Sequence, residues 1–162
     1  MIKQNFKPLR KNYNYTQSIQ AAPEVVFPLL CPERETEWLY GWKYKMIYSK
    51  SGVAEPEAIF STQEPGEEET IWIITIHDPI NKIVQFARVT PFNRTSTLYI
   101  KVEPKDGGSS YVHINYLYTG LTEEGNSYIE NYSDEAFFKM IKFWEDSMNY
   151  FLQSGKLLKG KE

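Results

Sequence analysis

Little in this chain advertises a reaction. It has one cysteine, Cys31, so neither an intrachain disulfide nor a cysteine-based zinc cage is open to it. It has two histidines, His77 and His113, on separate predicted strands, and a metal site would need a third ligand that the pattern does not supply. We therefore expect no metal and no cofactor. Basic residues are not in excess: 18 Lys and Arg stand against 21 Asp and Glu, for a net charge of −3. A nucleic-acid reader would carry a positive footprint, so no nucleic-acid partner is expected.

Long apolar runs are missing too. No stretch approaches the ~18 residues of a membrane span. Residues 1–12 read as an N-terminal arm whose Lys3, Lys7, Arg10 and Lys11 flank no apolar segment of the signal-peptide kind. The expectation is a cytoplasmic chain, in which the sequons at Asn14, Asn93 and Asn131 are chance matches. No P-loop, dinucleotide glycine fingerprint or Ser-His-Asp order is present. Gly107-Gly108-Ser109-Ser110 is a turn, since no helix follows it. Glu67-Glu68-Glu69, with Glu64 before them, read as a solvated turn between strands.

What the chain does have is rings. Its aromatic share is 15%, from 12 Tyr, 9 Phe and 4 Trp. Such side chains bury large areas while Tyr and Trp keep a polar tip, which suits a cavity wall or a bulky core. The alternation of Tyr13, Tyr15 and Ile19 with polar neighbours predicts a strand over 13–20. Pro23 opens a short helix to Leu30, which Cys31-Pro32 ends, and a second runs from Glu33 to Leu39. Six further strands follow, over 44–51, 58–63, 70–77, 83–90, 96–103 and 111–121. They are rich in Ile, Val, Thr and Tyr, and turn residues separate them at about ten-residue spacing. Short connections favour an antiparallel meander.

From Asp134 to Ser154 the period changes. Phe137, Met140, Ile141, Trp144, Met148, Phe151 and Leu152 recur at threes and fours, while Lys139, Lys142, Glu145 and Asp146 fall off that stripe. Ser133 or Asp134 caps the start, and Gly155 supplies the stop. The fold class is therefore α+β: a seven-stranded antiparallel sheet wrapped around a long C-terminal helix, in one domain over 13–155 with a basic tail over 156–162. A sheet that wide twists strongly. One helix does not fill its concave face, so space between helix and sheet is expected.

That order of elements resembles the helix-grip fold of the START-like, or SRPBCC, superfamily, which includes pollen-allergen-type carriers, lipid-transfer domains and polyketide cyclases/dehydrases. Ala22-Pro23-Glu24-Val25-Val26-Phe27-Pro28-Leu29-Leu30 looks like the superfamily's opening of the first short helix. Cys31 to Trp42, and Thr119-Gly120-Leu121-Thr122-Glu123-Glu124-Gly125 before the last helix, resemble an uncharacterised bacterial subgroup. The resemblance implies a fold but no transferable catalytic set, since the fold hosts many functions.

Trp38-Leu39-Tyr40-Gly41-Trp42-Lys43-Tyr44 is the most informative segment, because so many rings are costly to expose. It is either an aromatic ligand rim or a core plug, with Trp38 leaning to core and Trp42 to rim. Arg34 and Glu37, three apart, form a surface pair. Glu35 is the choice for a general base if burial raises its pKa. On the last strand, His113 shares parity with Asn115, and Tyr116 shares parity with Tyr118. One set lines the interior, and parity alone does not say which. Cys31 reads as a small buried hydrophobe and His77 as a strand end facing water. The expected function is binding or transport of a small hydrophobic or amphipathic ligand on Trp38, Trp42, Tyr44, His113, Tyr116, Phe137, Met140, Ile141 and Trp144. The alternatives are a cyclase/dehydrase-like or hydrolase-like enzyme that moves protons with Glu35, His113 or a tyrosine, and an interaction module whose exposed aromatics make a homodimer face.

Overall fold

The computed structural model describes residues 5–160; the first four residues of the predicted arm and the last two of the tail lie outside them. Seven strands form one antiparallel sheet: β1 (Arg10–Ile19), β2 (Lys45–Tyr48), β3 (Ile59–Thr62), β4 (Thr70–Asp78), β5 (Ile83–Thr90), β6 (Arg94–Lys105) and β7 (Ser109–Gly120). Their order is β1-β7-β6-β5-β4-β3-β2, so the meander closes with the first strand beside the last. Two short helices, α1 (Pro23–Val26) with a 3₁₀ turn over Phe27–Leu29, and α2 (Pro32–Trp38), separate β1 from β2. Proline opens both helices, where its missing N–H costs nothing.

The strand register sets the concave face. Phe60, Trp72, Arg88, Ser96 and Tyr118 are paired in one row across β3 to β7. Ile74, Phe86, Leu98, Tyr116 and Tyr13 form the next row, ending on β1. These residues are buried except Arg88, which is partly so. The even-numbered set of β7, Val112 to Tyr118, therefore faces inward, and His113 and Asn115 face out.

The last helix, α4 (Asp134–Ser154), has the predicted bounds. Ser133 Oγ accepts the Ala136 amide at 3.1 Å, and Gly155 ends the helix at φ 68°, a left-handed conformation that glycine adopts without strain. One assignment needs correcting. Glu145 does not lie off the buried stripe: it is 7% exposed and accepts the Ser18 amide at 2.7 Å. The helix makes its close backbone approaches to β1 and α2, at one side of the sheet, and not to the central strands β4 to β6.

The sequence reading lacked one helix, α3 (Glu123–Asn131). Gly125, Asn126, Ser127 and Asn131 are weak helix formers, so local preference hid it. Tertiary packing makes it. Thr122 caps its start, accepting the Gly125 amide at 3.2 Å and donating to the Phe92 carbonyl at 2.9 Å. Gly125 lies against the β5–β6 hairpin so closely that a Cβ there would sit 1.8 Å from the Asn93 carbonyl oxygen. Asn126 ties this corner to the chain start, accepting the Leu9 amide and donating to the Lys7 carbonyl. The segment read as an arm is thus strand from Arg10 onward, and pinned before it.

Gly125→Ala separates two effects of opposite sign. Helix propensity alone would favour alanine by about 1 kcal/mol. Overpacking against backbone costs about 1–3 kcal/mol and cannot be relieved by a rotamer change. We expect net loss of stability in urea unfolding, with exposed Ser127→Ala close to neutral; a stabilised Gly125→Ala would show that α3 is not clamped on the hairpin.

Candidate functional site

Two arginines stand on the inward parity of neighbouring central strands, and the chain treats them differently. Arg94, on β6, is 5% exposed and fully partnered. Its guanidinium meets both Glu67 carboxylate oxygens at 3.0 and 3.2 Å and Asn93 Oδ1 at 2.8 Å, and lies 3.4 Å over the Tyr128 ring. Glu67 is therefore a counter-ion to a buried cation, which corrects the reading of that acidic run as wholly solvated. Partnering of this kind is what a buried charge ordinarily requires.

Arg88, on β5, has none of it. No carboxylate among the described residues lies within ion-pair distance, and its buried Nε finds no hydrogen-bond partner. The guanidinium lies 4.2 Å over the Trp72 ring and 5.9 Å from the Tyr116 ring. Protein surrounds it, yet part of its surface is uncovered; since β5 points it inward, that surface opens inside the grip. Burial opposes its charge, but the oxygens of Tyr116, Tyr118 and Tyr128 outweigh this, so it stays ionised.

Glu35, on α2, faces the same interior. Burial first, and the neighbouring Glu33 carboxylate second, push its carboxyl up to about 8. Like Arg88 it is ringed by protein while keeping some free surface. Tyr116 lies between them: its hydroxyl is held far above its ordinary pKa by burial, is opposed by Arg88, and also feels Glu35. Burial likewise raises Tyr118 and Tyr132, each opposed by Arg88. Arg88 on β5 and Glu35 on α2 thus stand among aromatic side chains, the one a fixed cation, the other a carboxyl that holds its proton.

The expected site residues divide accordingly. Tyr116 and Phe137 stand inside, their rings 5.9 Å apart and nearly perpendicular. Met140 and Trp144 are half-buried on the inner side of α4. Trp42 and Tyr44 are half-buried as well: Trp42 donates its indole N–H to the Pro32 carbonyl at 2.9 Å, and Tyr44 lies edge-on to Phe60. Trp38 and Ile141 are sealed in the core at 1% and 0% exposure, so they offer a ligand no surface. His113 needs correction. It stands on the outer face, bonded to Glu103 at 2.9 Å and Thr16 at 3.1 Å, and does not reach the interior. His77 is half-buried near the Phe27 ring, and burial lowers its pKa, so it does not simply face water. Burial pushes the Cys31 thiol up to about 12, which leaves no thiolate for nucleophilic attack. Arg34 and Glu37 do pair on the surface, at 3.0 Å. Among the described residues no cluster of three metal-ligating side chains occurs.

Arg88, Trp72, Tyr128 and Tyr132 were not singled out from the sequence, whereas Tyr118 was, with Tyr116, as one of the two candidate inner sets. A signal for Arg88 existed: it shares strand parity with Val84 and Phe86, where an unpaired arginine is out of place. A hollow of about 630 Å³ lies beyond them at the end of the sheet, between the β3–β4 loop, the β5–β6 hairpin and α3. Its walls include Glu67, Glu68, Phe92, Glu124 and Tyr128, so it is polar, unlike the apolar space expected beneath α4.

Solved structures share this architecture over nearly the whole chain. Norcoclaurine synthase from Thalictrum flavum, in complex with dopamine and hydroxybenzaldehyde, matches with a TM-score of 0.66 at 15% identity, covering 95% of this chain and 91% of that one. The ZhuI aromatase/cyclase from Streptomyces sp. R1128 gives 0.67 at 8% identity, over 93% and 100%. Ara h 8.0201 gives 0.66 at 11% identity, over 90% and 99%. The fold is the START-like helix-grip. At these identities the likeness is one of fold alone. No family model and no curated protein matches the chain.

Glu35 makes stability depend on pH in a defined direction. Its folded pKa of about 8 exceeds the ordinary 4.5, so the folded chain keeps a proton that the unfolded chain gives up. Its contribution is full below about pH 4.5, falls as pH rises, and levels off above about 8. The loss is on the order of a few kcal/mol. Urea unfolding at pH 5.5 and 8.5 should show a larger drop for the wild type than for Glu35→Gln; equal drops would mean that Glu35 titrates as a solvated carboxyl.

Proposed function

We propose that the chain binds a small, largely apolar molecule in the aromatic chamber between the sheet and α4. One observation carries the reading: inward-facing side chains at the centre of the sheet keep uncovered surface although protein encloses them. A well-packed interior leaves few voids larger than a water molecule. The half-buried Trp42, Tyr44, Met140 and Trp144, which keep free surface, would cover the guest, each square ångström of apolar surface buried contributing about 25 cal/mol. The fold likeness supports the same reading, because Thalictrum norcoclaurine synthase holds dopamine and hydroxybenzaldehyde and ZhuI is an aromatase/cyclase.

A second reading, that the chain is an enzyme, is favoured by Glu35. A carboxyl with a pKa near 8 holds its proton at neutral pH and releases it with little driving force, as a general acid or base requires. The Tyr116 hydroxyl feels the Glu35 charge. The interaction reading is weakened by the aromatic segment itself, where Trp38 is buried, Trp42 and Tyr44 are half-buried, and only Tyr40 stands well exposed.

The neutral fluorophore N-phenyl-1-naphthylamine tests the binding reading. We expect saturable enhancement at a stoichiometry of one, lost on Ser96→Trp, which places an indole beside Arg88 on the inner face. Equal binding by wild type and variant would move the site out of the chamber. No saturable binding by the wild type would remove the reading.

A further inference from the structure

We infer that the guest of this chamber is a carboxylate carried on a planar ring system, with its charged oxygens seated on the Arg88 guanidinium. The inference rests on the binding reading above and names the ligand class for it. It begins from the contrast between two arginines in one interior. Where the fold needs a buried cation for its own sake, as at Arg94, it supplies a carboxylate, an amide oxygen and a ring face. At Arg88 it supplies ring faces at 4.2 and 5.9 Å and the Tyr118 hydroxyl, but no carboxylate, and Nε is left without an acceptor. A π face attracts the positive charge but accepts hydrogen bonds poorly, and a guanidinium has five N–H donors in a fixed fork. Those donors match the two oxygens of a carboxylate, which would supply the missing charge and the missing acceptors together.

The surroundings narrow the class. Ser96 is the neighbour of Arg88 on β6, between it and Tyr118, and its small side chain leaves the guanidinium approachable along the sheet. The walls on either side are rings, Trp72 and Tyr116, set 4.2 and 5.9 Å from the guanidinium carbon. Trp42, half-buried and edge-on to Trp72 at 6.1 Å, keeps ring surface on which a flat guest stacks, whereas a flexible chain would lose conformational entropy there without matching its shape. Glu35 holds its proton near neutral pH, so it neither neutralises Arg88 nor repels an incoming anion. Its O–H is free to donate to the far end of the guest. A phosphate monoester fits less well, because its second charge would have no partner beside a single guanidinium.

The experiment compares three probes at pH 6.5: 1-naphthoate, its neutral isostere 1-naphthamide, and decanoate, with Kd measured by calorimetry. Wild type should bind naphthoate at least tenfold more tightly than naphthamide, and decanoate more weakly than naphthoate. Arg88→Gln should abolish the preference for naphthoate while keeping naphthamide binding within about threefold, which also reports that the variant is folded. Equal wild-type affinities for naphthoate and naphthamide would overturn the carboxylate assignment and leave the binding reading standing. Decanoate as tight as naphthoate would overturn the ring assignment. If neither naphthalene probe nor the neutral fluorophore binds the wild type, the chamber reading itself fails, and this inference with it. Should Arg88→Gln not fold, the wild-type ratio and Arg88→Lys, which keeps charge but loses the fork, decide the matter: a lysine variant with undiminished preference would overturn bidentate seating.

Discussion

The long helix is fastened along an edge of the sheet by directional bonds, and its position over the inner face depends on them. Gln17 donates to the Ile141 carbonyl at 3.0 Å, the Ser18 amide donates to Glu145, and Asn149 bridges the Ser18 carbonyl and the Gln20 amide. Further back, the Tyr13 hydroxyl and the Lys11 ammonium both donate to the Tyr132 carbonyl, where α4 is about to begin. Strand and helix run in the same direction, and their lengths agree: Gln17 to Gln20 is about 10 Å of strand, Ile141 to Asn149 about 12 Å of helix. A free strand edge is a liability, and α4 covers this one with directional bonds. Hydrogen bonds of this kind set position and angle where apolar packing is permissive. Held along β1, the helix also approaches α2.

What lies on the inner face is unusual in charge. Interiors normally match each ionised group with an opposite one, because desolvating a lone charge is costly. This interior obeys that rule at Arg94 and at Glu145, which is bonded to the Ser18 amide and to Lys142 at 2.6 Å. It departs from it at Arg88 and Glu35, which face one space with Tyr116 between them. Glu33 adds to the imbalance: one of its oxygens accepts the Ala54 amide at 2.7 Å, the other is buried without a partner, and its charge helps keep Glu35 protonated. The departures are confined to one place, and that distinguishes a site from a poorly packed core.

The fold was legible in the sequence because its signals are local and repeated. The three-and-four spacing from Phe137 to Leu152, with Ser133 before it and Gly155 after, gave α4 its bounds. Alternation and turn residues gave the strands, with β5 over the same residues and β2 shorter, since a register shift at Met46 and Tyr48 breaks it. The site was less legible, because its evidence is the absence of partners, which no single strand records. Arg88 and Arg94 look alike as letters; they differ because Glu67 reaches one from a loop twenty-seven residues away and no carboxylate among the described residues reaches the other. Parity left the inner face of β7 open, and only the pairing with β6 turned His113 outward and Tyr116 inward. α3 escaped for a related reason: its glycine, serine and asparagines serve contacts with the β5–β6 hairpin and the chain start, so tertiary demands overrode helix preference.

Carrier and catalyst differ here in what Glu35 is for. A carrier of anions needs Arg88 and rings; a second ionisable group in the chamber adds nothing to affinity and makes stability fall toward alkaline pH. An apolar residue of similar volume on α2 would pack there without that cost, since uncompensated polar groups are the ones cores shed most readily. That a carboxyl stands there, with its pKa brought near neutrality and a tyrosine hydroxyl close by, is the pattern expected where a proton is to be given or taken. Arg88 at the other end would hold negative charge while that proton moves, and the rings between would exclude the water that otherwise levels such differences. On the proposed reading the two groups would act on opposite ends of one guest, so binding would be the condition for any chemistry, and the cation would be filled before the acid had work to do.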